Sequence, residues 1–517
     1  MYKTMEVSSP EDKPLQQDSQ ATQANSSAVG CQTFVLYKRR WLILALFSLI
    51  SMTNEVIWIS LSSITSIVKE YYQVSYIAVN WLSMVYMLFY VFVLLSAYVL
   101  TKQGLKFTIV VGTVLNGLGS CLRLIGSSRD GFVFAFLGNA SAALAQCFIL
   151  FVPPTLAAVW FGENERATAS AIGVLMNMFG VAVGFLMGGM IVPSSTDYDG
   201  AVKQGMFNML LSQALFCTIL VILCVILIKN APKTPPTMSQ ALIRNAKAKS
   251  MQTKAAFKPK EGVQITDSAT TTNCCGNETD TIPDMPKLAL DDPLQIENIG
   301  FTKSLKILAK DKNFHLVTQA YGFYFGLFAA YNTVLNQMCT VYFPGEEKQI
   351  GLMGFASIIL GLLGIFLAGI WIDKTKHYKI ISVGTFVCCM FSMIFFTLVL
   401  RYTSNMSAVF GTFCIFGFFS YPYMTVGLEH AAELTYPISE GTTSGILLLV
   451  GNMYGIMLTY AMGAIIDRGG SDVAGYIMAA AYGFGLLAVV FLKGELKRAQ
   501  ADSLRASLKQ PEVTATA

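Results

Sequence analysis

Asn54, Glu55 and Trp58 stand together in the first long apolar stretch of the chain, 41–68, and they are the residues there that could do chemistry. If that stretch crosses a lipid bilayer, a charged group needs a reason to be in it, because an aspartate or basic residue at a helix centre costs about 2.5 to 3.5 kcal/mol on insertion scales. Glu55 and Trp58 are three residues apart and so share neighbouring azimuths of one helix face. An aromatic face beside a carboxylate suits an organic cation. The ring quadrupole attracts the charge, worth about 0.5 to 2 kcal/mol when desolvated, and Glu55 would serve as counter-charge or in a coupling role. The structural alternative is that Trp58 packs between helices and Glu55 is protonated or bonded to a neighbouring amide.

A later stretch, 314–342, carries Tyr321, Tyr324, Phe328 and Tyr331 at spacings of three, four and three, within an arc of about 80° at 3.6 residues per turn. One helix face there is an aromatic wall, either lining a site or packing on a neighbour. Gln146 could bond a solute hydroxyl or an adjacent helix, and the pair Pro153-Pro154 breaks the amide ladder, as in a moving gate. Asn177 and Asn452 carry the same two readings, since interhelical hydrogen bonds of about 0.6 to 2 kcal/mol would suffice to retain each. Glu429 and Glu433 fall near the end of a stretch, where salt-bridged gate contacts suit them better than a proton relay. His315, His377 and His430 all fall near stretch ends, so histidine gives no support to a haem in a central pathway, although methionine, tyrosine or cysteine could ligate one.

These residues are embedded in a chain of 517 residues that is 54% hydrophobic and 13% charged, against about 25% charged in a soluble domain. The apolar runs are long enough to cross a bilayer core, and in lipid every amide must be paired internally, so the runs are expected to be helices. Twelve are expected, near 41–68, 79–100, 107–127, 131–160, 166–192 and 205–229, then 314–342, 349–372, 379–401, 404–430, 441–466 and 473–493. Around them the reading places a polar tail over 1–36, a flexible linker over 230–312 and a second tail over 494–517, leaving 37–229 and 313–493 as two six-helix halves. Cytoplasmic loops carry the excess of Lys and Arg. Lys38, Arg39, Arg40, Lys102, Lys106, Arg166, the linker lysines, Lys374, Lys376 and Lys493 fall on one side, which places both termini and the linker in the cytoplasm. Asn277 in its glycosylation sequon then faces the wrong compartment. The 11 cysteines lie mostly in apolar runs, and the adjacent Cys274 and Cys275 lack the second pair that a zinc site needs. No metal or cofactor is expected, no nucleic-acid partner, and no enzyme, because no nucleophile, base and orienting group occur together. The expected partners are the bilayer and a small solute, with the plasma membrane as default location.

The halves also repeat. A shift of 275 lays Glu165 on Glu440, Thr168 on Thr443, Asn177 on Asn452, Met178 on Met453 and Gly180 on Gly455 without a gap. Six-helix halves in parallel repeat, with a solute site at their midplane interface, describe the major facilitator architecture. Gly369 and Asp373, followed by Lys374 and Lys376, resemble that superfamily's loop signature, and place Asp373 and Lys374 with Glu429 and Glu433 in a cytoplasmic gate. The first-half copy keeps Gly104 and Lys106 but has Thr101 where an acid is expected.

More specific strings, among them Tyr37-Lys-Arg-Arg-Trp41, Asn54 to Trp58, Asn80-Trp-Leu-Ser-Met84, Ala145-Gln146, Ala158-Val-Trp-Phe-Gly162, Pro344-Gly-Glu-Glu347 and Glu433-Leu-Thr-Tyr-Pro437, resemble the feline leukaemia virus subgroup C receptor-related family. The resemblance implies facilitative transport of choline or ethanolamine, with haem export as the alternative ascribed to the family and a non-transporting receptor ranked last. It further implies a quaternary-amine pocket at Asn54, Trp58, Met87 and Gln146. In the second half the chain departs from the family: Asn452 stands for a glutamine and Ala329 for a tyrosine, with Tyr324 or Tyr331 left to supply the ring. Glu55 replaces a residue expected to be uncharged.

Overall fold

The computed structural model describes residues 35–237, 240, 241, 244, 301–493 and 496–500. The expected tail, most of the linker with Cys274, Cys275 and Asn277, and most of the second tail lie outside the described residues, as does the side chain of Asp373. The fold is all-α. Its spans are α1 (Arg39–Tyr72), α2 (76–103), α3 (Leu105–Ile125), α4 (132–160), α5 (Glu163–Ile191), α6 (Ala201–Leu227), α7 (Lys312–Thr340), α8 (Glu347–Thr375), α9 (Tyr378–Tyr402), α10 (Met406–Thr435), α11 (Glu440–Asp467) and α12 (Ser471–Val490).

Ten of these are long and apolar enough to cross a membrane. The other two are short of apolar length for visible reasons. α2 is apolar over Tyr76–Phe92 but breaks into a 3₁₀ turn at Tyr90–Phe92. α7 has 29 residues, but it spends its hydropathy on Thr318, Asn332, Thr333, Asn336 and Gln337, all buried in the protein. Polar groups of the spans are buried while large apolar ones also face outward: Asn54, Ser60, Thr333 and Asn336 are fully buried, and Ile226, Phe366 and Phe484 are at least 60% exposed. That inverts the soluble pattern and places lipid against the outer surface.

α1 packs along α5, and α7 along α11, the pairs related by the repeat. α2 meets α11 and α5 meets α8 across the two halves. Close approach rests on small residues. A Cβ on Gly180 would lie 2.3 Å from the Met52 carbonyl oxygen, and one on Gly326 would lie 2.9 Å from the Tyr454 carbonyl carbon.

Besides α2 with its turn at Tyr90–Phe92, three more spans break where they line the interior. α1 passes through a 3₁₀ turn at Ser62–Ile64, α4 is interrupted before Val152–Trp160, and α10 is interrupted between Ser420 and Tyr423. The second break is the one Pro153-Pro154 requires, since two prolines remove two ladder donors and are tolerated only in a first turn. Pro422 does the same in α10. Glu165 and Glu440, equivalent in the repeat, each accept from an arginine: Arg40 Nε and Nη2 at 2.9 and 3.0 Å on Glu165, and Arg498 on Glu440.

Candidate functional site

The face opposite the Lys/Arg-rich ends is sealed by contacts between the halves. The Ser66 amide donates to Asn336 Oδ1 at 2.9 Å, Ser66 Oγ to Glu347 Oε1 at 3.0 Å, and Asn80 Nδ2 to Gln337 Oε1 at 3.3 Å. Backbones close the rest: a Cβ on Gly351 would meet the Phe185 carbonyl oxygen at 2.6 Å.

Below this seal a cavity of about 310 Å³ lies between the halves. The first half contributes Glu55 and Trp58 of α1, Tyr86, Met87 and Tyr90 of α2, Gln146 of α4 and Asn177 of α5. The second contributes Tyr321, Phe325, Phe328 and Ala329 of α7 and Asn452 of α11. Towards the Lys/Arg-rich face the lining becomes exposed, reaching 43% at Val174 and 40% at Leu175, whereas Trp58 is 7% and Tyr321 0% exposed. The protein is closed on one face and accessible from the other, one of the two states that alternating access needs.

Glu55 is the one charged side chain among the described residues that line the cavity. Gln146 Nε2 and Asn177 Nδ2 both donate to its Oε1 at 2.9 Å, and Asn177 Nδ2 also reaches Ser51 Oγ at 3.1 Å. Two amide donors on one oxygen offset part of the desolvation of a buried carboxylate and hold it against α4 and α5. Trp58 lies beside Tyr86, ring centroids 6.5 Å apart. Trp58 Nε1, Tyr86 Oη and Tyr90 Oη are buried without a hydrogen-bond partner. The cavity wall thus carries three unmade hydrogen bonds and one carboxyl group that a polar ligand could use.

The structure thus gathers Trp58, Met87, Gln146, Asn452 and Glu55 around one space, and brings the repeat-related Asn177 and Asn452 to it from opposite sides. Asn54, Tyr324 and Tyr331 are elsewhere. Asn54 Nδ2 donates to Asn116 Oδ1 at 2.9 Å and to the Ala142 carbonyl at 2.8 Å, tying α1 to α3 and α4. One residue of helix turns it about 100° from Glu55. Tyr324 Oη donates to the Ser420 carbonyl, and Tyr331 Oη bonds Ser420 Oγ at 3.2 Å, because the α10 break presents polar groups there. Tyr321 and Phe328, on the other edge of the same stripe, line the cavity. At the expected gate Lys374 is exposed, Glu433 Oε2 accepts from the Ala499 amide at 3.1 Å, and Glu429 borders a surface recess with Glu433, Glu440 and Arg498.

Residues 41–431 match the family model described as Major Facilitator Superfamily. The choline/ethanolamine transporter FLVCR2 of Homo sapiens is 33% identical over 480 residues, 92% of this chain and 81% of that protein. The choline/ethanolamine transporter flvcr2a of Danio rerio is 32% identical over 90% of this chain and 89% of its own length, and FLVCR1 of Mus musculus is 32% identical over 90% and 76%. The chain belongs to the feline leukaemia virus subgroup C receptor-related family of that superfamily. It is a multi-pass membrane transporter and not an enzyme. The fold agrees with solved transporters: the inward-open xylose transporter XylE from E. coli superposes with a TM-score of 0.60 at 13% identity, over 90% of this chain and 99% of that one. An inward-facing bacterial homologue of Spinster gives 0.57 at 14% identity, over 89% and 95%.

The sequence reading of this transporter passed over Arg123, although an arginine inside an apolar run is itself a signal. It is fully buried in α3. Nη1 donates to the Ile57 carbonyl and Gln213 Oε1, and Nη2 to Ser60 Oγ, each at 3.0 Å. The first run of α1 ends at Ser60, so Ile57 O is among its last carbonyls, and a cation there meets the negative end of the helix. Arg123 therefore holds the end of the first α1 run through Ile57 and Ser60, on either side of Trp58. Tyr86 and Tyr90 were also missed, although their spacing of four puts them on one face of α2, next to Met87.

Proposed function

We propose that this transporter carries a small organic amine such as choline or ethanolamine by facilitated, alternating-access exchange between its halves, 37–229 and 313–493. The observation that carries the reading is the lone carboxylate of Glu55, held by Gln146 and Asn177 at the edge of a cavity walled by Trp58, Tyr86, Tyr321, Phe325 and Phe328. A cavity of about 310 Å³ is at the small end of the range for organic ligands, about 300 to 1,000 Å³. Curated relatives named as choline/ethanolamine transporters support the same class. The Lys/Arg-rich face is assigned to the cytoplasm, with both termini, in the plasma membrane. The cavity is then open inward, and Asp373, Lys374, Glu429 and Glu433 belong to the cytoplasmic gate region. A haem cargo would have to take a ligand such as Met87 or Tyr86, since none of the three histidines lines the cavity.

Uptake of radiolabelled choline and ethanolamine into cells expressing the chain tests this directly. Trp58→Ala is expected to lower uptake about 2- to 30-fold at equal surface expression, the worth of a desolvated cation–π contact. Unchanged uptake in Trp58→Ala would remove the aromatic wall from the site, and no saturable uptake of either amine by the unaltered chain would remove the amine.

A further inference from the structure

Within that reading, on which this step rests, we infer that the site selects ammonium groups that still carry N–H hydrogens, and so prefers ethanolamine to choline. Both hydrogen bonds to Glu55 land on Oε1, and Oε2 receives neither, so the carboxylate of this lining residue keeps an unused acceptor. Tyr86 Oη and Tyr90 Oη, each on a residue 3% exposed, have no partner, and a phenol oxygen accepts as readily as it donates. Asn452, which lines the site, sends its amide back to the Leu448 carbonyl at 2.8 Å, and its Oδ1 is left as a further acceptor. The cavity wall therefore offers acceptors to a donor in Glu55 Oε2, two phenol oxygens and Asn452 Oδ1.

A primary ammonium has three N–H donors and supplies them. A trimethylammonium has none. It gains contact with Trp58, Tyr321 and Phe328, yet its methyl shell holds the charge further from Oε2 and leaves buried acceptors unpaired. A site built to hydrogen-bond a ligand N–H rejects the analogue without it far more strongly than an apolar pocket rejects an added methyl group. The alcohol that both amines share can take the idle Trp58 Nε1–H, so it does not discriminate between them.

The test is a methylation series. Unlabelled ethanolamine and its N-methyl, N,N-dimethyl and N,N,N-trimethyl derivatives, the last being choline, compete against labelled ethanolamine in cells expressing the full chain, with labelled choline uptake measured in parallel. Half-inhibitory concentrations are expected to rise with each methyl, by about tenfold or more from ethanolamine to choline. Tyr90→Phe, which removes one acceptor and keeps the ring, is expected to narrow that gap. Transport of both amines with equal potency, or with choline the stronger, would overturn the inference and leave the amine carrier standing. No saturable uptake of either amine would overturn the carrier reading and this inference with it.

Discussion

Replacing Glu55 with glutamine is expected to lower kcat/KM for amine uptake by at least about 30-fold, the lower end of what truncating one member of a buried charge pair costs. The substitution is close to isosteric. The new amide oxygen can accept from Gln146 Nε2 and Asn177 Nδ2 as Oε1 now does, so α1 stays tied to α4 and α5. What changes is the cavity side, where an anionic acceptor becomes a neutral donor that opposes an ammonium. A buried carboxylate is costly to the fold and its amide analogue is less so. Thermal stability of the purified Glu55→Gln protein in detergent should accordingly be unchanged or higher while transport falls. Wild-type kcat/KM in this variant would show that Glu55 is a structural acid and not the cation's counter-charge.

The largest effect on the fold is expected at Gly180. An added Cβ would lie 2.3 Å from the Met52 carbonyl oxygen, 2.9 Å from Met52 Cα and 3.0 Å from Glu55 Cβ. Backbone cannot swing aside as a flexible side chain can, so even Gly180→Ala must separate α5 from α1 and carry Glu55 with it. Gly184, one turn on, has the Val56 carbonyl oxygen at 3.2 Å, which makes this a small-residue seam of the kind that holds membrane helices together. Overpacking typically costs about 1 to 3 kcal/mol, and a backbone collision belongs at or above that upper end. Gly180→Leu is expected to abolish a monodisperse protein, and Gly180→Ala to lower the thermal midpoint clearly. Gly384→Ala is the control: nothing lies within 4 Å of its added Cβ, so a neutral or slightly stabilising result is expected from the better helix former. A Gly180→Ala protein as stable as Gly384→Ala would contradict the close approach of α1 and α5.

Much of this was legible because lipid makes a polar residue conspicuous. Glu55, Trp58, Gln146, Asn177 and Asn452 stand out in apolar runs, and the repeat alone related Asn177 to Asn452. Which face of a helix looks at the solute was harder to read. Asn54 is one residue from Glu55 and equally polar, yet it serves the α1–α3–α4 contact. The α7 stripe spans too narrow an arc for periodicity to divide. It is divided by α10, whose break frees Ser420 and Tyr421 carbonyls that Tyr324 Oη takes, and that partner is set about 100 residues away in sequence. Arg123 shows the converse: an arginine in an apolar run signals a role, but only the end of the first α1 run at Ser60 explains what this buried cation is holding.

Counterflow with the purified protein in liposomes asks whether this cavity moves a small ammonium by exchange. Vesicles loaded with unlabelled ethanolamine and placed in trace labelled ethanolamine should accumulate label transiently above equilibrium, and Glu55→Gln vesicles should not. Label that never rises above the level of protein-free vesicles would mean that the cavity does not exchange this amine.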